Sequence, residues 1–208
     1  KYYFYFTYND KEFKVEKALT RPYFQTSTGI DNLNTYRLLE PNSFVIYPYM
    51  KRFSWTCHLV LGLALAVAPI GGWIAITGYF NWAIILLGLA VGIWIAAFDV
   101  IYACQDINFD KAQGLNSMPV RFGVTGAMKL SKIMHIISIA SFLAVGLLLN
   151  LSYIYYCGVV LAALVLYYQH SIIKPDDLSE VTQTYFMRNG LVGISIFLCT
   201  LIDLLVKF

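Results

Sequence analysis

Charge is scarce in this sequence. Its 208 residues include 15 Lys and Arg and 12 Asp and Glu, so charged residues make up 13% of the chain, about half the share found in a soluble domain. That deficit, with 59% hydrophobic residues and a mean hydropathy of +0.62, excludes an ordinary water-soluble globule. A net charge of +3 is too small to point to nucleic acid. Cysteine is sparse as well: Cys57, Cys104, Cys157 and Cys199 are far apart and mostly inside apolar runs. They have no metal-ligand or disulfide-framework spacing and read as small core residues. The three histidines, His58, His135 and His170, show no triad or ligand spacing, and no role is assigned to them. The opening "KYYFYFTYNDKEFKVEKALTRP" is aromatic and charged, unlike a cleavable signal peptide.

The sequence does have long apolar runs. Five spans are expected, at 57–80, 82–103, 131–149, 151–169 and 188–206, with lengths that suit a hydrocarbon layer of about 30 Å at about 1.5 Å per helical residue. Pro69, near Gly71 and Gly72, predicts a kink in the first. The short uncharged connections "GYFN" and "LNLS" alternate with charged segments before residue 57, near 104–130 and near 170–187. Placing the charged segments on one side gathers all but Lys207 of the 15 basic residues and all but Asp203 of the 12 acidic ones. Such a bias marks the cytoplasmic side. One face therefore carries nearly all the polar chemistry of an all-α, polytopic bundle of about five full spans.

That face holds "AAFDVIYACQDINFDKAQGLNSMPVRFG", residues 96–123. Asp99, Asp106 and Asp110 stand at i, i+7 and i+11, which on one continuous helix falls within about 40°. Tyr102 shares the stripe and Gln105 adjoins it. Three anions so aligned repel unless a cation holds them, and a hard divalent ion with oxygen ligands, Mg²⁺, suits them. Mg²⁺ shares its remaining positions with phosphate oxygens, so the stripe reads as a diphosphate site. The plainer reading is that such aspartates are solvated, or paired with Lys111 or Arg121. Polar groups at membrane depth are functional candidates by default.

"DVIYACQDINFD" resembles the second aspartate motif, D-x-x-Y-A-x-Q-D-x-x-x-D, of the UbiA-type membrane polyprenyltransferases. "GLNSMPVRFG" resembles the family's S-x-P-x-R-F-G continuation, and "YPYMKRFSWTCHLVLGLALAVAPIGGWIAITG" its central helices and basic turn. The tail "YYQHSIIKPDDLSEVTQTYFMRNG" is most similar to the menaquinone-pathway branch. The likeness covers residues 44–207. Residues 1–43 form an atypical N-terminal segment in which "YNDKEFKVEKALTRP" resembles a shortened first motif, N-D-x-x-D-x-x-x-D, with Asp10 standing for one of its carboxylates. The stretch from Pro22 to Tyr47 is too short for the helices that usually follow, so the bundle is expected to be incomplete.

The resemblance implies a Mg²⁺-dependent transfer of a polyprenyl group from polyprenyl diphosphate to an aromatic acid such as 4-hydroxybenzoate, in ubiquinone or menaquinone biosynthesis. It also implies a bacterial inner-membrane protein, embedded in the lipid bilayer with its active-site face cytoplasmic. Asp99, Asp106 and Asp110 would hold metal and diphosphate. Arg121 would contact diphosphate oxygens, or serve as a positive-inside loop residue. Lys51 and Arg52 match the basic pair near the substrate pocket, or act as topogenic charges. Tyr102 would face the allyl cation, bond a metal-bound carboxylate, or only pack, and Gln105 would line the substrate site. Two alternatives stay open: a catalytically inactive membrane remnant or subunit of the same fold, and 1,4-dihydroxy-6-naphthoate as the acceptor. In "PDDLSE", Asp176 and Asp177 read as a turn leading into a helix.

Overall fold

The computed structural model of the chain describes residues 2–8, 11–17, 49–178, 181 and 183–207. The chain divides into two compact units, Lys1–Leu33 and Asn34–Phe208.

In the first unit, β1 (Tyr2–Tyr8) pairs antiparallel with β2 (Lys11–Lys17), Phe6 opposite Phe13 and Phe4 opposite Val15. Alternation of charged residues with Phe13 and Val15 gives β2 the two-residue period of a strand. The segment that resembles a shortened first aspartate motif is thus partly strand. Asp10, Arg21 and Pro22 lie outside the described residues.

The second unit is a helical bundle. Its elements are α1 (Cys57–Thr77), α2 (Trp82–Ala103), α3 (Ile107–Ala112), α4 (Met118–Leu148), α5 (Tyr153–Ile172) and α6 (Gln183–Lys207). Among the described residues, four helices are long and apolar enough to cross a membrane: α1, α2, α4 and, from Met187 onward, α6. The fifth expected span, α5, has 20 residues, but its five tyrosines with Gln169 and His170 lower its hydropathy. Helix α1 is unbroken through Pro69; the interruption lies instead in α4, where Gly123 takes φ 70° and ψ 169°. Helix α4 starts 13 residues before the expected span at 131, because Ser117 caps it by accepting from Val120 N (3.4 Å) and Pro119 fits its first turn.

Small residues set the spacing in the bundle. A Cβ at Gly62 would lie 2.3 Å from the Gly92 carbonyl oxygen, and one at Gly92 2.5 Å from that of Gly62. Backbones this close are the membrane helix contact that glycine permits. On its other side α2 meets α4, where the Ser131 hydroxyl donates to Ala97 O and that of Ser138 to Ala90 O, both at 2.7 Å. The two bonds are seven residues apart on each helix, so they pin an antiparallel pair at two levels. Tyr155 Oη donates to Phe142 O at 2.8 Å, and Ala162, Leu166 and Val192 pack with Trp94 and Ile139, joining α5 and α6 to the others. At the weakly charged end, the Asp203 carboxylate accepts from Ser152 N at 3.1 Å and from the Ser152 hydroxyl, tying α6 to the start of α5.

Candidate functional site: the charged end of the bundle

The helix bearing the aspartates does not continue from Asp99 to Asp110. After Ala103 the chain tightens: Cys104 N bonds Ile101 O, Gln105 N bonds Tyr102 O and Asp106 N bonds Ala103 O, each at 3.1 Å. Helix α3 then restarts with Asp110 N on Asp106 O at 2.8 Å. Bonds three residues apart wind about 120° per residue rather than about 100°. Over three residues this turns Asp106 and Asp110 roughly 60° out of the stripe projected for a single helix.

Each aspartate consequently has its own surroundings. Asp99 accepts from His58 through an Nδ1···Oδ2 contact of 2.7 Å; His58 is 1% exposed and the Asp99 side chain 23%. His58 Nε2 accepts from Met118 N at 3.4 Å, which leaves the ring proton on Nδ1, facing the carboxylate. The imidazole thus spans from Asp99 on α2 to the first amide of α4. Asp110 is 1% exposed and takes Lys51 Nζ on both oxygens, at 3.3 and 3.2 Å. Its partner is Lys51, 59 residues away, rather than Lys111 or Arg121. Asp106 is exposed at the N-cap of α3 and makes no side-chain capping bond. Among the described residues no three His, Cys, Asp or Glu side chains gather where they could hold a metal ion. As placed, the trio does not fit a closed Mg²⁺ site, because Asp110 is taken by Lys51 and one oxygen of Asp99 by His58.

The basic turn is fastened to the same end. Asn116 N donates to Lys51 O at 2.6 Å and Asn116 Nδ2 to Arg52 O at 3.3 Å, while Leu115 N closes the C-terminus of α3 on Asp110 O at 2.8 Å. Arg52 and Arg121 are both exposed, the latter in the first turn of α4. Tyr102 is 41% exposed with its ring 6.4 Å from that of Phe98. Gln105 Nε2 donates to Leu178 O at 3.3 Å, drawing the α5–α6 connection over the foot of α2. In that connection Asp177 N bonds Lys174 O at 3.1 Å across Pro175 and Asp176, a β-turn. Beside the site, burial pushes the Cys104 thiol up to about 12, so it is not a nucleophile at neutral pH.

The structure therefore pairs Asp99 with His58 and Asp110 with Lys51, and it sets Asp106, Arg52, Arg121 and Tyr102 at the open surface of the same end. Sequence reasoning missed His58. It is 41 residues from Asp99, and no spacing rule connects residues whose contact depends on the approach of two helices.

Residues 43–191 match the UbiA prenyltransferase family. The 4-hydroxybenzoate octaprenyltransferase of Vibrio campbellii is 29% identical over 163 residues, covering 78% of this chain and 55% of that protein. Thus the chain spans about half the length of the curated relatives it matches. The apo structure of a UbiA homolog from Aeropyrum pernix K1 superposes with a TM-score of 0.68 at 29% identity, covering 82% of this chain and 67% of the other. Separately, 48 residues, 23% of this chain, are 56% identical to 5% of the Type II restriction enzyme and methyltransferase RM.Eco57I of Escherichia coli.

Proposed function

Because this chain belongs to the UbiA prenyltransferase family, an integral multi-pass membrane fold, we propose that its charged end receives the diphosphate head of a polyprenyl diphosphate and serves prenyl transfer to an aromatic acid such as 4-hydroxybenzoate. The observation that carries the reading is the clustering of Arg52, Arg121, Asp106 and the His58-held Asp99 at one end of an apolar bundle. There a lipid-dissolved chain can lie among helices while its head meets charge. Arg121 and Arg52 present planar donors suited to phosphate oxygens. In the reaction the allylic C–O bond breaks with its electron pair leaving on diphosphate. The ring carbon ortho to the phenol then attacks the allyl cation and the ring proton is lost. Cationic side chains favour the departing anion, the half-exposed Tyr102 ring faces the developing cation, and the surrounding apolar helices exclude water.

Members of this family generally use a divalent metal. Mg²⁺ would neutralise the leaving diphosphate, with Asp106 and Asp99 as the carboxylates still open to it. A complete ion site would need ligands beyond them. The Lys/Arg bias supports a cytoplasmic position for this end, in what we take to be a bacterial inner membrane.

We assign residues 44–208 to the bundle and 1–43 to a segment outside it. The paired state of Asp110 favours a second reading of the bundle, a non-catalytic member of the fold. The test is turnover by purified protein in lipid with Mg²⁺, a polyprenyl diphosphate and either 4-hydroxybenzoate or 1,4-dihydroxy-6-naphthoate. Prenylated product from the wild type and none from a folded Asp106→Asn variant supports catalysis. Equal product from both removes the role of Asp106, and none from the wild type supports the non-catalytic reading.

A further inference from the structure

A second polar cluster lies away from the aspartates. His135 on α4 and His170 on α5 meet at 2.8 Å between Nδ1 and Nε2, one imidazole donating to the other. Both line a cavity of about 370 Å³ whose walls also include Ile139, Ala163, Leu166 and Lys132. His135 is 3% exposed, while Lys132 is exposed. The cavity is therefore graded, with an apolar wall, a histidine pair beside it and a cation at the mouth.

Its depth is informative. Lys132 lies about 24 Å along the helix from Leu148, and His170 about 26 Å from Tyr153, at 1.5 Å per residue. Both helices begin or end at the weakly charged face, so both residues reach the same level near the other edge of a hydrocarbon layer of about 30 Å. That is where phosphates of the adjoining leaflet begin. A basic pocket between membrane helices at this level has the chemistry of an anionic headgroup site.

We propose that the α4–α5 cavity binds an anionic phospholipid of the leaflet on the Lys/Arg-rich side, its phosphate on Lys132 and His170 and an acyl chain along Ile139, Ala163 and Leu166. A free inorganic anion would leave the apolar wall of such a cavity uncovered. The site is separate from the aspartate end and does not depend on catalysis.

The test takes the full chain reconstituted in vesicles of equal parts phosphatidylglycerol and phosphatidylcholine, extracts it, and counts retained lipids by native mass spectrometry. The wild type is expected to keep phosphatidylglycerol selectively. Lys132→Ala lowers that retention about fivefold, the worth of one basic residue near a headgroup layer. Ala163→Phe, which blocks the chain slot but keeps every charge, lowers it too, with folding of both variants checked by circular dichroism. Lys129→Ala, an exposed neighbour outside the cavity, leaves it unchanged. Equal losses from Lys129→Ala and Lys132→Ala would mean diffuse surface attraction and overturn the proposal. Retention unaffected by Ala163→Phe but abolished by excess inorganic phosphate would mean a free-anion site, and overturns it as well.

Discussion

Replacing Gly92 by valine tests whether the α1–α2 approach builds the site. A Cβ there would meet Gly62 O at 2.5 Å and the Ala66 Cβ at 3.0 Å. Ordinary contact begins near 3.4 Å, so the helices must part by about 0.9 Å even before the valine methyls are counted. The His58–Asp99 bond spans the same pair of helices at 2.7 Å. The same displacement would carry it to about 3.6 Å, past the distance at which a hydrogen bond holds. Overpacking of this kind costs roughly 1–3 kcal/mol, and in a chain of this size each kcal/mol shifts Tm by about 2–4 °C. Thermal unfolding in detergent should therefore fall by about 2–12 °C. Gly72→Ala serves as the control: nothing lies within 4 Å of its added Cβ, and it removes a helical glycine, so it should leave Tm unchanged or raise it. A Gly92→Val protein that melts with the wild type would refute the argument that glycine contact sets the α1–α2 spacing.

Two other perturbations follow from the same geometry. Lys51→Ala leaves the buried Asp110 carboxylate unpaired and should lower stability by up to roughly 3 kcal/mol, less than the full cost of a buried pair because Lys51 is 31% exposed. Adding Asp110→Asn should recover part of that loss in chemical denaturation, and a double variant as unstable as the sum of the two singles would argue against the pair. Cys104 should resist alkylation at pH 8 in the folded protein and react once denatured, because burial raises its thiol from 9.0 to about 12. A raised thiol pKa means that the folded chain keeps a proton the unfolded chain loses. Its contribution to stability is thus complete below pH 9 and is lost as pH climbs toward 12; rapid modification at pH 8 would contradict the burial.

The spans were legible in the sequence because hydropathy over twenty residues depends on little else. Helix starts were less so. Residues 118–130 carry Arg121 and Lys129 and read as loop, yet a capping serine and a first-turn proline make them helix. The break between α2 and α3 could not be read, since "IYACQDINFD" contains no glycine or proline and would suit one helix. The tightening at 104–106 accompanies contacts made elsewhere, Gln105 on Leu178 and Asp110 on Lys51. The partner of Asp99 was hidden for a related reason: His58 is placed by Gly62 and Gly92 meeting, a long-range fact with no local signature. By contrast, the gathering of charge at one end was plain from the loops alone.

Equilibrium binding of farnesyl diphosphate to the purified protein in lipid nanodiscs, with Mg²⁺ present, addresses the charged end directly. Saturable binding by the wild type, weakened about tenfold or more in Arg121→Ala through loss of a charge-assisted hydrogen bond of about 1.5–3 kcal/mol, is the expected result. Absence of binding by the wild type, or equal affinity in the folded Arg121→Ala protein, would contradict it.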